Sequence, residues 1–148
     1  MGLDAIRNFR HLADDLATAG QPDEAQLAEL AAAGYQVVIN LGLDDPAYAL
    51  TDERGTVEGL GMAYRHIPVD FEGPTRADFE AFSQCMHEHA DRQVFVHCRL
   101  NWRVSVFVAL YGQRQLGWDQ ARADTVIADV WTPDLRWRGF IEAMRGGP

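Results

Sequence analysis

The chain has 148 residues, 47% hydrophobic and 24% charged, a globular composition that excludes a disordered or fibrous protein. Twenty-two Asp and Glu against 13 Lys and Arg leave a net charge of -9, which argues against nucleic acid or an anionic membrane surface as a partner. No apolar run approaches the ~18 residues of a spanning helix.

That length is expected to make a single domain, residues 1–148, with a core of its own. The start, Met1-Gly2-Leu3-Asp4-Ala5-Ile6-Arg7, does not read as a signal peptide. Cys85 and Cys98 fall in different predicted elements and form no disulfide framework, so a cytoplasmic location is expected. Nothing in the sequence fixes an oligomeric state.

Residues 8–18 are mixed in pattern and yield only a short strand or turn near Leu16 to Ala19. Gly20-Gln21-Pro22 breaks the chain, and Asp23 followed by Gln26 forms a capping box for a helix over 24–33 ending at Gly34. The β-branched run from Tyr35 to Leu41 predicts a buried strand, and Gly42-Leu43-Asp44-Asp45-Pro46 is its exit loop. A weaker helix follows over 51–60, then a strand from Met62 to Val69 and a loop at Asp70-Phe71-Glu72-Gly73-Pro74. Thr75 and Asp78 cap a helix over 76–90 whose apolar face is Phe79, Phe82, Met86 and Ala90. A strand over 93–97 leads through Cys98 to a helix from about Arg103 to Leu116. Two more helices complete the chain, one from Trp118 to Val130 and one opened by Thr132 as cap with Pro133 in its first turn. Gly146-Gly147-Pro148 reads as a frayed end.

Alternating strands and helices predict an α/β fold with a parallel-rich central sheet and helices on both faces. The carboxyl ends of such strands share one rim, where ligands bind. Cys98, Asp70, Asp44 and Asp45 each follow a predicted strand and are expected to meet there.

The stretch that carries chemistry is Val94-Phe95-Val96-His97-Cys98-Arg99-Leu100-Asn101-Trp102-Arg103-Val104-Ser105, a strand, a tight loop and a helix start. A loop entering a helix N-terminus turns backbone N–H groups and the positive end of the helix dipole toward one point, which suits an anion. A free cysteine titrates near ~8.5, and at such a place beside a cation it can fall to ~3.5–7.5 and act as a nucleophile. Cys98 therefore reads as a nucleophile facing an anionic substrate.

This loop resembles that of the cysteine-dependent tyrosine and dual-specificity phosphatases, in which a histidine and the catalytic cysteine are followed by five residues and an arginine. Here four residues separate Cys98 from Arg103, and Val104 separates Arg103 from Ser105. The pattern is more similar to the bacterial beta-lactamase-hydrolase-like branch, through Gly20-Gln21-Pro22, Val37-Val38-Ile39-Asn40-Leu41, Ile67-Pro68-Val69-Asp70 and His97-Cys98 to Arg103, spanning roughly residues 16–116. The resemblance implies a cysteine-dependent phosphatase-like fold and a phosphomonoester hydrolase acting through a phosphocysteine, without a cofactor or metal. It implies that Cys98 attacks phosphorus, that Arg103 grips the phosphoryl oxygens, and that Asp70 is the general acid. The phosphate cradle would be Arg99, Leu100, Asn101, Trp102 and Arg103, supported by His97 and by Ser105 near the thiolate. Asn101 replaces a glycine common in such loops and tolerates the left-handed backbone. The implied partner is a phosphorylated small molecule or a phosphoprotein.

Plainer readings stand beside these. Cys98 is also compatible with a buried inert thiol, Asp70 with a turn residue, Asp44 and Asp45 with turn or cap residues, and His97 with a strand end that orients the loop. His66 reads as a half-buried strand residue, Arg99 as a side chain pointing to solvent or to an acidic neighbour, Trp102 as a pocket wall, and Trp118, Trp131 and Trp137 as packing. The run Cys85-Met86-His87-Glu88-His89 lacks a matching pair at zinc-like spacing and reads as structural. Two other functions remain open: a rhodanese-like sulfurtransferase, whose active loop is shorter, and a phosphate-binding pseudophosphatase without turnover.

Overall fold

A computed structural model describes residues 2–146. Its centre is a five-stranded sheet of β1 (Arg10–Ala13), β2 (Leu16–Ala19), β3 (Val37–Asn40), β4 (Ala63–His66) and β5 (Val94–His97), in the order β1-β2-β5-β3-β4. β2, β5, β3 and β4 run parallel, and β1 joins the edge antiparallel to β2. The helices are α1 (Glu24–Ala32), α2 (Glu53–Gly59), α3 (Arg76–Glu88), α4 (Trp102–Gln115), α5 (Gln120–Ala128) and α6 (Leu135–Gly146). The expected α/β architecture is thus present.

The period of two along the central strands divides the core into two layers. Val37, Ile39, Val94 and Val96 face a larger cluster that includes Phe79, Phe82, Phe107, Val108 and Trp137 from α3, α4 and α6. Val38 and Phe95 face the other way, onto Leu27 and Leu30 of α1 and Val57 of α2. α4 lies beneath the sheet with a continuous buried run from Arg103 to Gly112. Both predicted capping boxes form: Asp23 with Gln26 on α1, and Thr75 with Asp78 on α3.

Several features differ from the sequence expectation. α3 ends at Glu88, so Ala90, expected on its apolar face, lies past the helix and is exposed. β1 is a strand because a hairpin pairs it with β2, Arg10 opposite Thr18; Arg10 and His11 are exposed and Leu12 and Ala13 half-buried, so no alternation announces it. The last helix begins at Leu135, not at Thr132-Pro133, because Asp134 Oδ1 accepts the Trp137 N–H at 2.9 Å and provides the cap. Gly146, expected in an irregular end, is the final residue of that helix, while Gly147 and Pro148 lie outside the described residues. Among the described residues no helix is long and apolar enough to cross a membrane.

Candidate active site

β5 delivers His97 and Cys98 to the carboxyl-end rim, and the two side chains part company there. His97 continues the Phe95 face, stacked on that ring at 5.8 Å, whereas Cys98 joins the α4 layer, 1% exposed. His97 Nε2 lies 2.5 Å from Glu53 Oε2 at the start of α2, and its Nδ1 lies 3.3 Å from the Cys98 carbonyl. Both neighbours are oxygen acceptors. Burial alone would push the Glu53 carboxyl up, but the charge and hydrogen bond of His97, the Gln21 amide at 2.9 Å and the more distant His66 together hold it below its ordinary value. Glu53 and Gln21 were invisible as site residues in the sequence, since neither lies near Cys98 in the chain.

The loop from Cys98 to Arg103 is fastened by its carbonyls. The Arg99 carbonyl accepts the Gln21 N–H at 3.0 Å, the Leu100 carbonyl accepts Asn8 Nδ2 at 2.8 Å, and the Asn101 carbonyl accepts the Ser105 N–H at 2.9 Å. The backbone N–H groups of Arg99, Leu100, Trp102 and Arg103 donate to no acceptor among the described residues. A peptide chain whose carbonyls are tied outward leaves its N–H groups for a ligand. Asn101 makes this turn possible with a left-handed backbone, φ 69°, and its side chain donates to the Asn8 carbonyl and Thr18 Oγ1 in place of capping α4. Gly20 belongs to the same fastening: a Cβ there would stand 2.5 Å from the Arg99 carbonyl oxygen, so only glycine permits the approach.

A cavity of about 240 Å³ opens over this loop, lined by Cys98, Arg99, Leu100, Trp102 and Arg103 and, from other loops, by Leu43, Asp45, Tyr48 and Phe71. Of the residues expected to form the cradle, Asn101 alone turns its side chain away. Arg103 is 6% exposed, and its Nη1 donates to the Val69 carbonyl at 2.8 Å, which links the cradle to the loop that begins at Asp70. Asp70 is exposed, with Oδ1 accepting the Glu72 N–H at 2.9 Å; Phe71, its neighbour, reaches the cavity. Asp45, read from sequence as a turn or cap residue, caps Ala47 and also lines the cavity.

Ser105 does not serve the sulfur as the resemblance implied. Its hydroxyl donates to the Trp102 carbonyl at 2.8 Å and accepts the Trp131 indole N–H at 3.1 Å, because the helical turn after Arg103 carries it one position past the loop. It thereby holds Trp131 stacked on Trp102, 4.9 Å apart and 7° from parallel. Phe71 packs on both rings and on Trp137, whose indole N–H donates to the Phe71 carbonyl at 2.9 Å. Trp131 is thus part of the wall behind the cavity as well as packing. His66, half-buried, contacts the Gly42 carbonyl at 2.7 Å and anchors the loop that carries Asp45 and Tyr48. Cys85 and His89 share a face but contact one another at 3.9 Å, with His87 exposed; among the described residues no group of three or more His, Cys, Asp or Glu could hold a metal ion.

Residues 8–115 match the family model of the beta-lactamase hydrolase-like protein, phosphatase-like domain. The chain belongs to this family. It is similar to the beta-lactamase hydrolase-like protein of Agrobacterium fabrum, 39% identical over 87 residues, which is 57% of this chain and 20% of that protein. The chain therefore spans about a fifth of the length of that curated relative. A DUF442 candidate phosphatase of Shewanella putrefaciens CN-32 superposes with a TM-score of 0.85 at 34% identity, covering 96% of this chain and 93% of that one. TpbA of P. aeruginosa, solved as a cysteine-to-serine variant in complex with phosphotyrosine, shares the fold: TM-score 0.67, 17% identity, 95% of this chain and 91% of that one.

Proposed function

We propose that the chain hydrolyses phosphomonoesters through a phosphocysteine formed on Cys98. The observation that carries this reading is the loop after Cys98, whose carbonyls are bound outward and whose N–H groups at Arg99, Leu100, Trp102 and Arg103 have no protein acceptor among the described residues. Those groups, the N-terminal dipole of α4 and the Arg103 guanidinium give three sources of positive potential at the mouth of one small cavity. A phosphoryl group held there meets the Cys98 sulfur.

In the first step the Cys98 sulfur attacks phosphorus, the ester P–O bond breaks, and the leaving oxygen takes a proton from an acid. The charge on the equatorial oxygens is held throughout by the N–H cradle and Arg103. In the second step water attacks the phosphocysteine, the S–P bond breaks, and inorganic phosphate leaves. We assign the acid to Asp70. It lies between Val69, whose carbonyl is bound by Arg103, and Phe71, which lines the cavity, so its loop is tied to the cradle on both sides. Asp45, which lines the cavity itself, is the competing carboxylate. The substrate is a phosphorylated small molecule or phosphoprotein, and the phosphotyrosine bound by TpbA supports a phosphomonoester as ligand of this fold.

The test is aryl phosphate hydrolysis by the wild type and by Cys98→Ser, Asp70→Asn and Asp45→Asn, with thiosulfate-to-cyanide sulfur transfer run in parallel. The cysteine variant should lose roughly 10⁴-fold in kcat or more. Asp70→Asn should lose about 10²-fold or more, most with poor leaving groups, and Asp45→Asn should not. A larger loss in Asp45→Asn would move the acid to that loop. Sulfur transfer without phosphatase turnover would sink the reading in favour of the sulfurtransferase that the short loop also suits.

A further inference from the structure

A second cavity, of about 570 Å³, adjoins the first and shares Tyr48, Arg99 and Leu100 with it. The Arg99 guanidinium lies 5.1 Å above the Tyr48 ring and forms the ridge between the two. On the far side stand Arg7, Gln21 and Asp23. Arg7 and Arg99, like several other arginines of the chain, form no salt bridge among the described residues, and they are the two that line this cavity. Asp23 is the one carboxylate in the lining, and its Oδ1 is taken up by the Gln26 N–H as the cap of α1. Gln21 joins the floor of this cavity to the Glu53–His97 pair through its amide N–H, so the second cavity is built on the same framework as the first.

We propose that this second cavity receives a second anionic group of the substrate, so that the preferred substrate is a small phosphomonoester bearing another phosphate or carboxylate a short spacer away. The inference rests on the hydrolase reading for the first cavity and adds the chemical class of what enters it. Two arginines against the single carboxylate of Asp23 give this lining a local excess of positive charge on a protein of net charge -9. Their planar guanidinium forks suit an oxyanion. The shared wall supplies apolar contact from Tyr48 and Leu100 for the spacer. Arg99 is placed to touch both anions, and Arg7 only the second.

The probes are α,ω-alkane bisphosphonates of increasing length and the matching monophosphonates. They are titrated calorimetrically into the wild type and Arg7→Gln, alongside para-nitrophenyl phosphate hydrolysis. The Arg7 side chain makes no bond in the loop framework; only its carbonyl does, accepting the Gly20 N–H at 2.7 Å. One spacer length should bind the wild type at least about tenfold tighter than its monophosphonate. Arg7→Gln should remove that advantage, with monophosphonate affinity and aryl phosphate hydrolysis unchanged. Equal affinity of mono- and bisphosphonates at every length overturns the inference, as does an Arg7→Gln loss shared equally by both. If no aryl phosphate is hydrolysed yet the spacer-dependent preference persists, the hydrolase reading falls and the second anion site stands.

Discussion

Among the described residues, five of the six α-helices begin on a side-chain cap, and α4 does not. Asp23, Asp52, Thr75, Asp119 and Asp134 each place a side-chain oxygen on a first-turn N–H, ending the exposure of donors that every helix start creates. At the start of α4 the residue in the same position is Asn101, which has the chemistry to cap but spends its amide on Asn8 and Thr18. The difference separates helix starts whose donors are capped from one whose donors have no protein acceptor among the described residues. Cys98 stands at the helix start that was left open.

Substitutions at the two kinds of helix start should separate these roles. Arg103→Lys keeps the charge but removes the planar fork and the bond to the Val69 carbonyl, and should cost about 10²- to 10³-fold in kcat for aryl phosphate, measured at saturating substrate. Glu53→Gln acts one layer further out, on the pair that holds His97 behind the loop. Breaking a buried pair from one side costs about 3 kcal/mol, read as a lower unfolding free energy in denaturant at pH 7. The Glu53 carboxyl is lowered in the fold, so its contribution is complete above the ordinary value of 4.5 and is lost as pH falls through the lowered one. The gap between wild type and variant should therefore close on acidification below 4.5; a gap that stays constant would show that charge is not what the pair supplies.

Thr75→Ala, at a capped helix start remote from the cavity, should cost about 1 kcal/mol with turnover unchanged. A matching contrast comes from ligand: vanadate at about 100 times its Kd should stabilise the wild type by about 2.7 kcal/mol. The same addition should stabilise Thr75→Ala equally and Arg103→Lys much less, by thermal unfolding.

The extent to which the sequence revealed all this follows from which signals are local. Capping boxes, the β-branched run of β3 and the strand-loop-helix around Cys98 are written in neighbouring residues, and they placed the parallel strands, most helix starts and the loop between β5 and α4. β1 was missed because its strand character comes from pairing with β2. The partners of the loop were missed for the same reason: Asn8, Gln21 and Glu53 reach it from 92, 78 and 44 residues away. Ser105 was read by its distance from the cysteine along the chain, but a helical turn rotated it onto Trp131. Asp45 looked like an ordinary turn residue, and it is one; only the return of its loop over Cys98 gives it a second role.

The central claim is a covalent bond between Cys98 and phosphorus. Wild-type protein should be mixed with an aryl phosphate, quenched in acid within a turnover, digested and weighed by mass spectrometry. The peptide containing Cys98 should carry one phosphoryl group, lost on longer incubation and absent in Cys98→Ser. Steady hydrolysis with that peptide unmodified at every quench time, or the phosphoryl group on another residue, would contradict the account.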